Sequence, residues 1–230
     1  MRLLFVCLFC FSFATSLSGQ AKPKTITLTK GQAFDIILFN NNPAAKAERK
    51  DYFQRAFPIA RSFGYKPSAS FGVAETPTRG NYHPDFLVTG TWPSVSARAL
   101  ALEALQSGMA DFDEMRRKVW SSFNMTYYEV KEDLTITTDT TKYYVATTFW
   151  KEKPGRFAKF LRKWEARQQQ FGGKVLITLS DGASPFGYYY NPDYLVITEW
   201  ASEEAFCATL PADDQAGFRG VKHLNQFPIF

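Results

Sequence analysis

"NPDYLVITEW" (191–200) and "HPDFLVTGTW" (83–92) are one phrase written twice in the same chain. Extended on both sides, "NYHPDFLVTGTWPS" (81–94) and "YYNPDYLVITEWAS" (189–202) agree at seven of fourteen positions. Ordinary residue usage gives about one such agreement by chance. The same offset lays "FGYK" (63–66) on "FGGK" (171–174) with no insertion between the two matches. With a small shift, "TITLTKGQAFDIILFN" (25–40) faces "TITTDTTKYYVATTFW" (135–150). The chain therefore reads as a duplication, with one unit over 22–132 and the other over 133–230.

Each unit spells the same order of elements. A strand comes first, 33–40 or 142–150. A helix follows, with Tyr52, Phe53, Ala56, Phe57, Ala60 and Phe63 at helical spacing in unit one, and Phe157, Phe160, Leu161 and Trp164 in unit two. Gly64 and Gly172 stand where a left-handed helix stop is expected. A strand follows each glycine, 66–75 or 174–180, and a Pro/Gly loop leads into the quoted phrase, itself a strand. Ser94 and Ser202 are placed to cap a second helix. "MTYYEV" (125–130) and "QFPIF" (226–230) close the units as short strands. The order β-α-β-β-α-β is the ferredoxin-like unit. Within 194–200, Tyr194, Val196, Thr198 and Trp200 share one face, and Leu195, Ile197 and Glu199 the other. Both faces are largely apolar, so the sheet needs cover on both sides. The expected fold is α+β: two tandem ferredoxin-like units packed sheet to sheet as an intramolecular barrel.

Before the units stands a leader. Arg2, the apolar stretch 3–17 and the small residues of "SLSGQA" make a secretory signal over residues 1–21, with cleavage after Ser18, Gly19 or Ala21. The expected location is secreted or periplasmic. Removing the leader takes Cys7 and Cys10 and leaves Cys207 alone, so core packing rather than a disulfide must hold the chain. Aromatic residues make up 17% of the sequence, enough to line large ring-walled interiors. The net charge of +5 is spread out, with no block of like charges, and nucleic acid is not an expected partner. No later apolar stretch is long enough to span a membrane, so stable membrane insertion is not expected.

On the joints "FGYK"/"FGGK", the strands ending in Trp92 and Trp200, and the helix starts at Ser94 and Ser202, the chain resembles the dimeric α+β barrel superfamily. "YFQRAFPIARSFGYKPSASFGV" (52–73) and "YLVITEWASEEAF" (194–206) are similar to its NIPSNAP-like branch and its branch of small uncharacterised domains. The resemblance implies a pocket between sheet and helices in each unit. It also implies a range of roles: cofactor-free monooxygenases, isomerases, haem enzymes and members without known activity. Fold alone does not choose among them.

The candidate site residues carry two readings each. Tyr188, Tyr189 and Tyr190, in "GYYYNPDY", either line an entrance that stacks a planar ligand or plug the barrel end. Trp150 and Trp200 either reach the same cavity or pack the core. Glu199 replaces Thr91 of unit one within an apolar strand; it is a general base or a strand-end group reaching solvent. His83, in the loop before a strand and matched by Asn191, is an acid/base group or a loop histidine. Haem-binding members of the superfamily use a helical histidine in the second of two fused units. His223, expected near the end of the last helix, is the residue that resemblance singles out; otherwise it is a helix-terminal histidine. Asp85 and Asp193 are strand-start caps, and Cys207 is expected as a small core residue. No phosphate-loop, dinucleotide, zinc or nucleophile-elbow motif is present. The favoured expectation is a binder of a small apolar or aromatic molecule, without a cofactor, using unit two's aromatic residues. The alternatives are a cofactor-independent monooxygenase or isomerase built on Glu199 and His83, a haem protein built on His223, and a non-catalytic scaffold. Further homo-oligomerisation is left open.

Overall fold

A computed structural model describes residues 23–74, 76–186 and 190–230. Residues 1–21, where a secretory signal is expected, and Tyr188 and Tyr189 lie outside the described residues. Unit one runs β1 (Thr25–Leu28), β2 (Ala33–Asn41), α1 (Lys46–Ser62), β3 (Lys66–Gly72), β4 (Phe86–Trp92), α2 (Val95–Gly108), α3 (Phe112–Val119) and β5 (Trp120–Glu129). Unit two repeats this with β6 (Leu134–Thr137), β7 (Tyr143–Lys151), α4 (Pro154–Gln170), β8 (Lys174–Ser180), β9 (Tyr194–Trp200), α5 (Glu203–Cys207), α6 (Leu210–Ala216) and β10 (Val221–Ile229). The sheets order as β3-β4-β2-β5 and β8-β9-β7-β10, with every neighbour antiparallel. That is the ferredoxin-like order in both copies. β1 and β6 pair with each other, so the two units also join through a ribbon that the sequence reading lacked.

Local signals act where the residues place them. Gly64 (φ +84°) and Gly172 (φ +88°) end α1 and α4 in the left-handed region. The Ser94 and Ser202 hydroxyls accept from the Ala97 and Ala205 N–H groups, satisfying donors in the first turns of α2 and α5. Asp85 accepts from the Asn41 N–H, and Asp193 from the Lys151 N–H, each tying a strand start to its neighbour.

Alternation along the strands builds the core. Leu195 and Ile197 of β9 and Phe34, Ile36 and Leu87 of unit one turn inward and pack between the two sheets. Tyr194 and Val196 turn outward, under α4. Each inward Leu, Ile or Phe contributes about 1.5–3 kcal/mol when buried, so neither sheet can leave its inner face in water. Main-chain bonds close the barrel. Gly72 and Phe230 exchange two N–H···O bonds of 3.0 Å, and the Ala74 N–H reaches the Pro228 carbonyl. On the opposite seam Tyr127 and Ala183 exchange a pair of 2.9 and 3.0 Å.

Three expectations are corrected. The closing strands are full-length rather than short, ten residues in β5 and nine in β10. As a result His223 lies on a strand, not a helix: Gly217 (φ +66°) ends α6 and Gly220 (φ +93°) turns the chain into β10. Cys207 is exposed, because α5 spans a single turn and a half and its one buried position goes to Phe206.

Candidate functional site

The two copies differ most where helices meet sheet. α1 and α4 are both 17 residues long and end on matched glycines, so Ala56 corresponds to Trp164. Trp164 is fully buried, edge-on to Phe149 at 5.2 Å, and fills the space between α4 and its sheet. Ala56 leaves that space open in unit one. A cavity of about 210 Å³ lies there, between α1 and the sheet. Rings wall it: Phe53 and Phe57 from α1, Tyr65 from the turn after it, and Trp120 and Phe123 from β5. They brace one another, with ring centres 4.9 Å apart for Phe53–Phe57 and 4.8 Å for both Tyr65–Trp92 and Trp120–Phe123.

The second difference is charge. The strand registers place Asp35 of β2 at the position of Val145 in β7, and the matched helix caps place Arg98 of α2 at that of Phe206. In unit two Val145, Trp200 and Phe206 form an apolar cluster. In unit one the same three positions form a buried polar triad. The Arg98 Nε–H donates to Asp35 Oδ1 at 2.6 Å, and the Trp92 indole N–H donates to Asp35 Oδ2 at 2.8 Å. Asp35 is 1% exposed and Arg98 5%. The guanidinium also lies over the Tyr127 ring at 4.4 Å and donates from Nη2 to the Met125 sulfur at 2.7 Å. A recess of about 60 Å³ adjoins the cavity; Asp35, Tyr52, Trp92, Leu105 and Met125 line both. Arg98 and Arg116 line the recess as well. Arg116, also buried, stacks over Phe123 at 4.1 Å and Phe186 at 4.2 Å. Burial pushes the Tyr52 hydroxyl up to about 12, so it stays protonated at neutral pH.

The residues expected from sequence sit elsewhere. Tyr190, Trp150 and His223 do come together, as a run of rings at the barrel end. The Tyr190 ring lies tilted against that of Tyr82, its own counterpart in the repeat, at 4.4 Å; Trp150 meets Tyr190 edge-on at 4.8 Å; and His223 lies 4.8 Å from Trp150. The Tyr190 and Thr148 hydroxyls bond at 2.6 Å. Trp200 is buried under α5, its indole N–H donating to Thr198. Glu199 faces the inter-sheet side at a strand end, accepting from Tyr144 at 2.8 Å with the Lys174 ammonium at 3.9 Å. The His83 Nε2 bonds the Ala74 carbonyl at 2.7 Å, which fixes the hydrogen on that nitrogen. None of these residues lines the unit-one cavity. Glu199 and His83 do not meet, since β10 and β7 stand between Ala74 and β9. The signal for the cavity was in the sequence all the same: the offset that aligns the quoted phrases sets Ala56 against Trp164 and Arg98 against Phe206.

A haem does not fit the residues present in unit two. His223 is exposed on β10, packed against Trp150. The space between α4 and its sheet is occupied by Phe149, Phe157, Phe160 and Trp164, all buried. Among the described residues no three His, Cys, Asp or Glu side chains gather as a metal site, and no helix is long and apolar enough to cross a membrane.

A scan against protein-family models finds no match, and neither does a search of curated proteins. The NIPSNAP-like resemblance thus rests on the sequence pattern alone. Among solved structures the chain is similar to an anthrone oxidase-like protein, with 15% identity, TM-score 0.48, 90% of this chain and 94% of that one covered. It is also similar to chlorite dismutase from Candidatus Nitrospira defluvii, solved in complex with imidazole, with 11% identity, TM-score 0.48, and 88% and 92% covered.

Proposed function

We propose that the chain binds a small apolar or aromatic molecule in the cavity of unit one. The observation that carries this is the exchange of Trp164 for Ala56: the protein's own second copy supplies the side chain that would fill the space. At about 210 Å³ the cavity exceeds the roughly 150 Å³ apolar cavity known to hold benzene. One or two fused rings match its size and its aromatic walls. A buried ion pair seldom stabilises a fold more than well-packed apolar residues do, and unit two makes do with Val145 and Phe206. Asp35 and Arg98 are accordingly read as ligand-facing groups. The test is naphthalene binding, followed by tryptophan fluorescence. Wild type should bind at micromolar concentrations, and Ala56→Trp should fold normally and not bind. Equal binding by both proteins would remove the cavity from consideration.

An oxygenase or isomerase stands second. Such chemistry needs a base at the ligand. Both Asp35 oxygens already accept a hydrogen bond, and Tyr52 is held protonated. These groups suit holding a molecule better than deprotonating one. The leader at 1–21 places the protein outside the cytoplasm on this reading; N-terminal sequencing of the protein from the extracytoplasmic fraction should start at Gly19, Gln20 or Lys22.

A further inference from the structure

Three of the rings that wall the unit-one cavity carry polar hydrogens without a partner among the described residues. The indole N–H of Trp120, a residue 5% exposed, is buried and makes no hydrogen bond. The Tyr52 and Tyr65 hydroxyls, in the same wall, make none either. Burial raises both phenols above the ordinary tyrosine value, so both keep their hydrogens at neutral pH. At the matched positions unit two carries no such donor. The helix offset sets Tyr52 against Phe160 and Tyr65 against Gly173. The strand registers set Trp120, opposite Asn41, against Val221, opposite Lys151. The copy that has the cavity is thus the copy that has the hydrogens. A buried donor left unmet is unfavourable, and an acceptor brought by a ligand relieves it. The wall offers no such opening to a charge. Of the described residues that line the cavity, Asp35 alone is charged; Arg98 pairs with it, and both its oxygens accept hydrogen bonds. An ionised ligand group placed among these rings would lose its water without gaining a counter-ion.

We infer that the unit-one cavity takes an uncharged arene bearing a carbonyl, its ring among the aromatic walls and its oxygen on the Trp120 indole N–H. This rests on the reading of that cavity as a ligand site and adds the ligand's polarity. An indole N–H donates and cannot accept, so it favours a ligand acceptor and gives nothing to a ligand N–H or O–H. A carbonyl oxygen has two lone pairs and no hydrogen of its own, which suits a wall that supplies hydrogens. Pockets with mostly apolar walls draw their specificity from a few polar groups of this kind.

The experiment titrates the whole chain with three probes of one outline: acetophenone, α-methylstyrene, in which a methylene replaces the carbonyl oxygen, and benzoate. Calorimetry gives the affinities, and proton–nitrogen NMR follows the indole N–H signals. In wild type the Trp120 N–H signal, assigned by its loss in Trp120→Phe, should move downfield with acetophenone and not with α-methylstyrene. Trp120→Phe should weaken acetophenone about 10-fold more than it weakens α-methylstyrene, because the carbonyl is then buried without a donor. Benzoate should bind wild type at least ~10-fold more weakly than acetophenone. If α-methylstyrene binds but the indole signal and the variant treat both neutral probes alike, the carbonyl inference falls and the cavity reading survives. Benzoate binding as tightly as acetophenone overturns the assignment of an uncharged ligand. If no probe binds, both readings fall. The wild-type NMR comparison decides the matter by itself where the variant does not fold, the indole signal then being the one that responds to both neutral probes.

Discussion

Asp35 and Arg98 are the charged pair of a position that unit two makes apolar, and their energetics should show it. Removing one partner leaves the other charge buried and alone, so Asp35→Ala should cost about 3–5 kcal/mol in urea unfolding. Asp35→Val with Arg98→Phe should cost far less than either single change, a coupling that a double-mutant cycle reads directly. The tyrosines give a second test. Burial raises Tyr52 to about 12 and also raises Tyr128 and Tyr190. The unfolded chain then loses these protons first, near the ordinary tyrosine value of about 10, and binds fewer protons than the folded one above it. Stability is therefore complete below about pH 10 and falls as pH rises through 12. Phenolate absorbance from these residues should appear together with unfolding, not before it; a smooth titration of all eleven tyrosines near pH 10 in folded protein would contradict the burial described.

Helix ends and strand lengths separate what the sequence told from what it withheld. Gly64 and Gly172 stop their helices in the same conformation but in different surroundings. A Cβ on Gly172 would meet nothing within 4 Å, whereas one on Gly64 would lie 2.5 Å from the Pro93 ring. Gly172→Ala should thus cost about 1–2 kcal/mol, the left-handed backbone penalty alone, and Gly64→Ala clearly more, as thermal unfolding of the two variants can compare. These stops, the serine caps and the two-faced strand 194–200 were legible because each is a local rule repeated in both copies. β1, β6 and the full reach of β10 were not. Their short or polar runs are held in register by partners far along the chain, as in Thr25 opposite Thr137. The cavity escaped for a different reason. Attention to the repeated phrase and the Tyr188–Tyr190 cluster favours unit two, while the site is written in the non-repeated residues: Ala56 against Trp164, Asp35 against Val145, Arg98 against Phe206.

At the scale of the whole molecule, one core belongs to both units. Phe34, Ile36 and Leu87 meet Leu195, Ile197 and Phe227 between the sheets. Either unit expressed alone, 22–132 or 133–230, should self-associate or fail to fold, and size-exclusion chromatography with circular dichroism will tell; a monomeric, cooperatively folded half would be incompatible with a shared core. The seam between β3 and β10 sets the timetable for this assembly. Gly72, Ala74, Thr78 and Arg79 take main-chain partners from residues 226–230, about 150 residues further along. At the ribosomal pace of about 5–20 residues per second, the first sheet waits roughly 8–30 s with one flank bare. During that interval it offers a template to any passing strand, its own sister chains on the same polysome included, so the yield of native protein should depend on how crowded its own synthesis is.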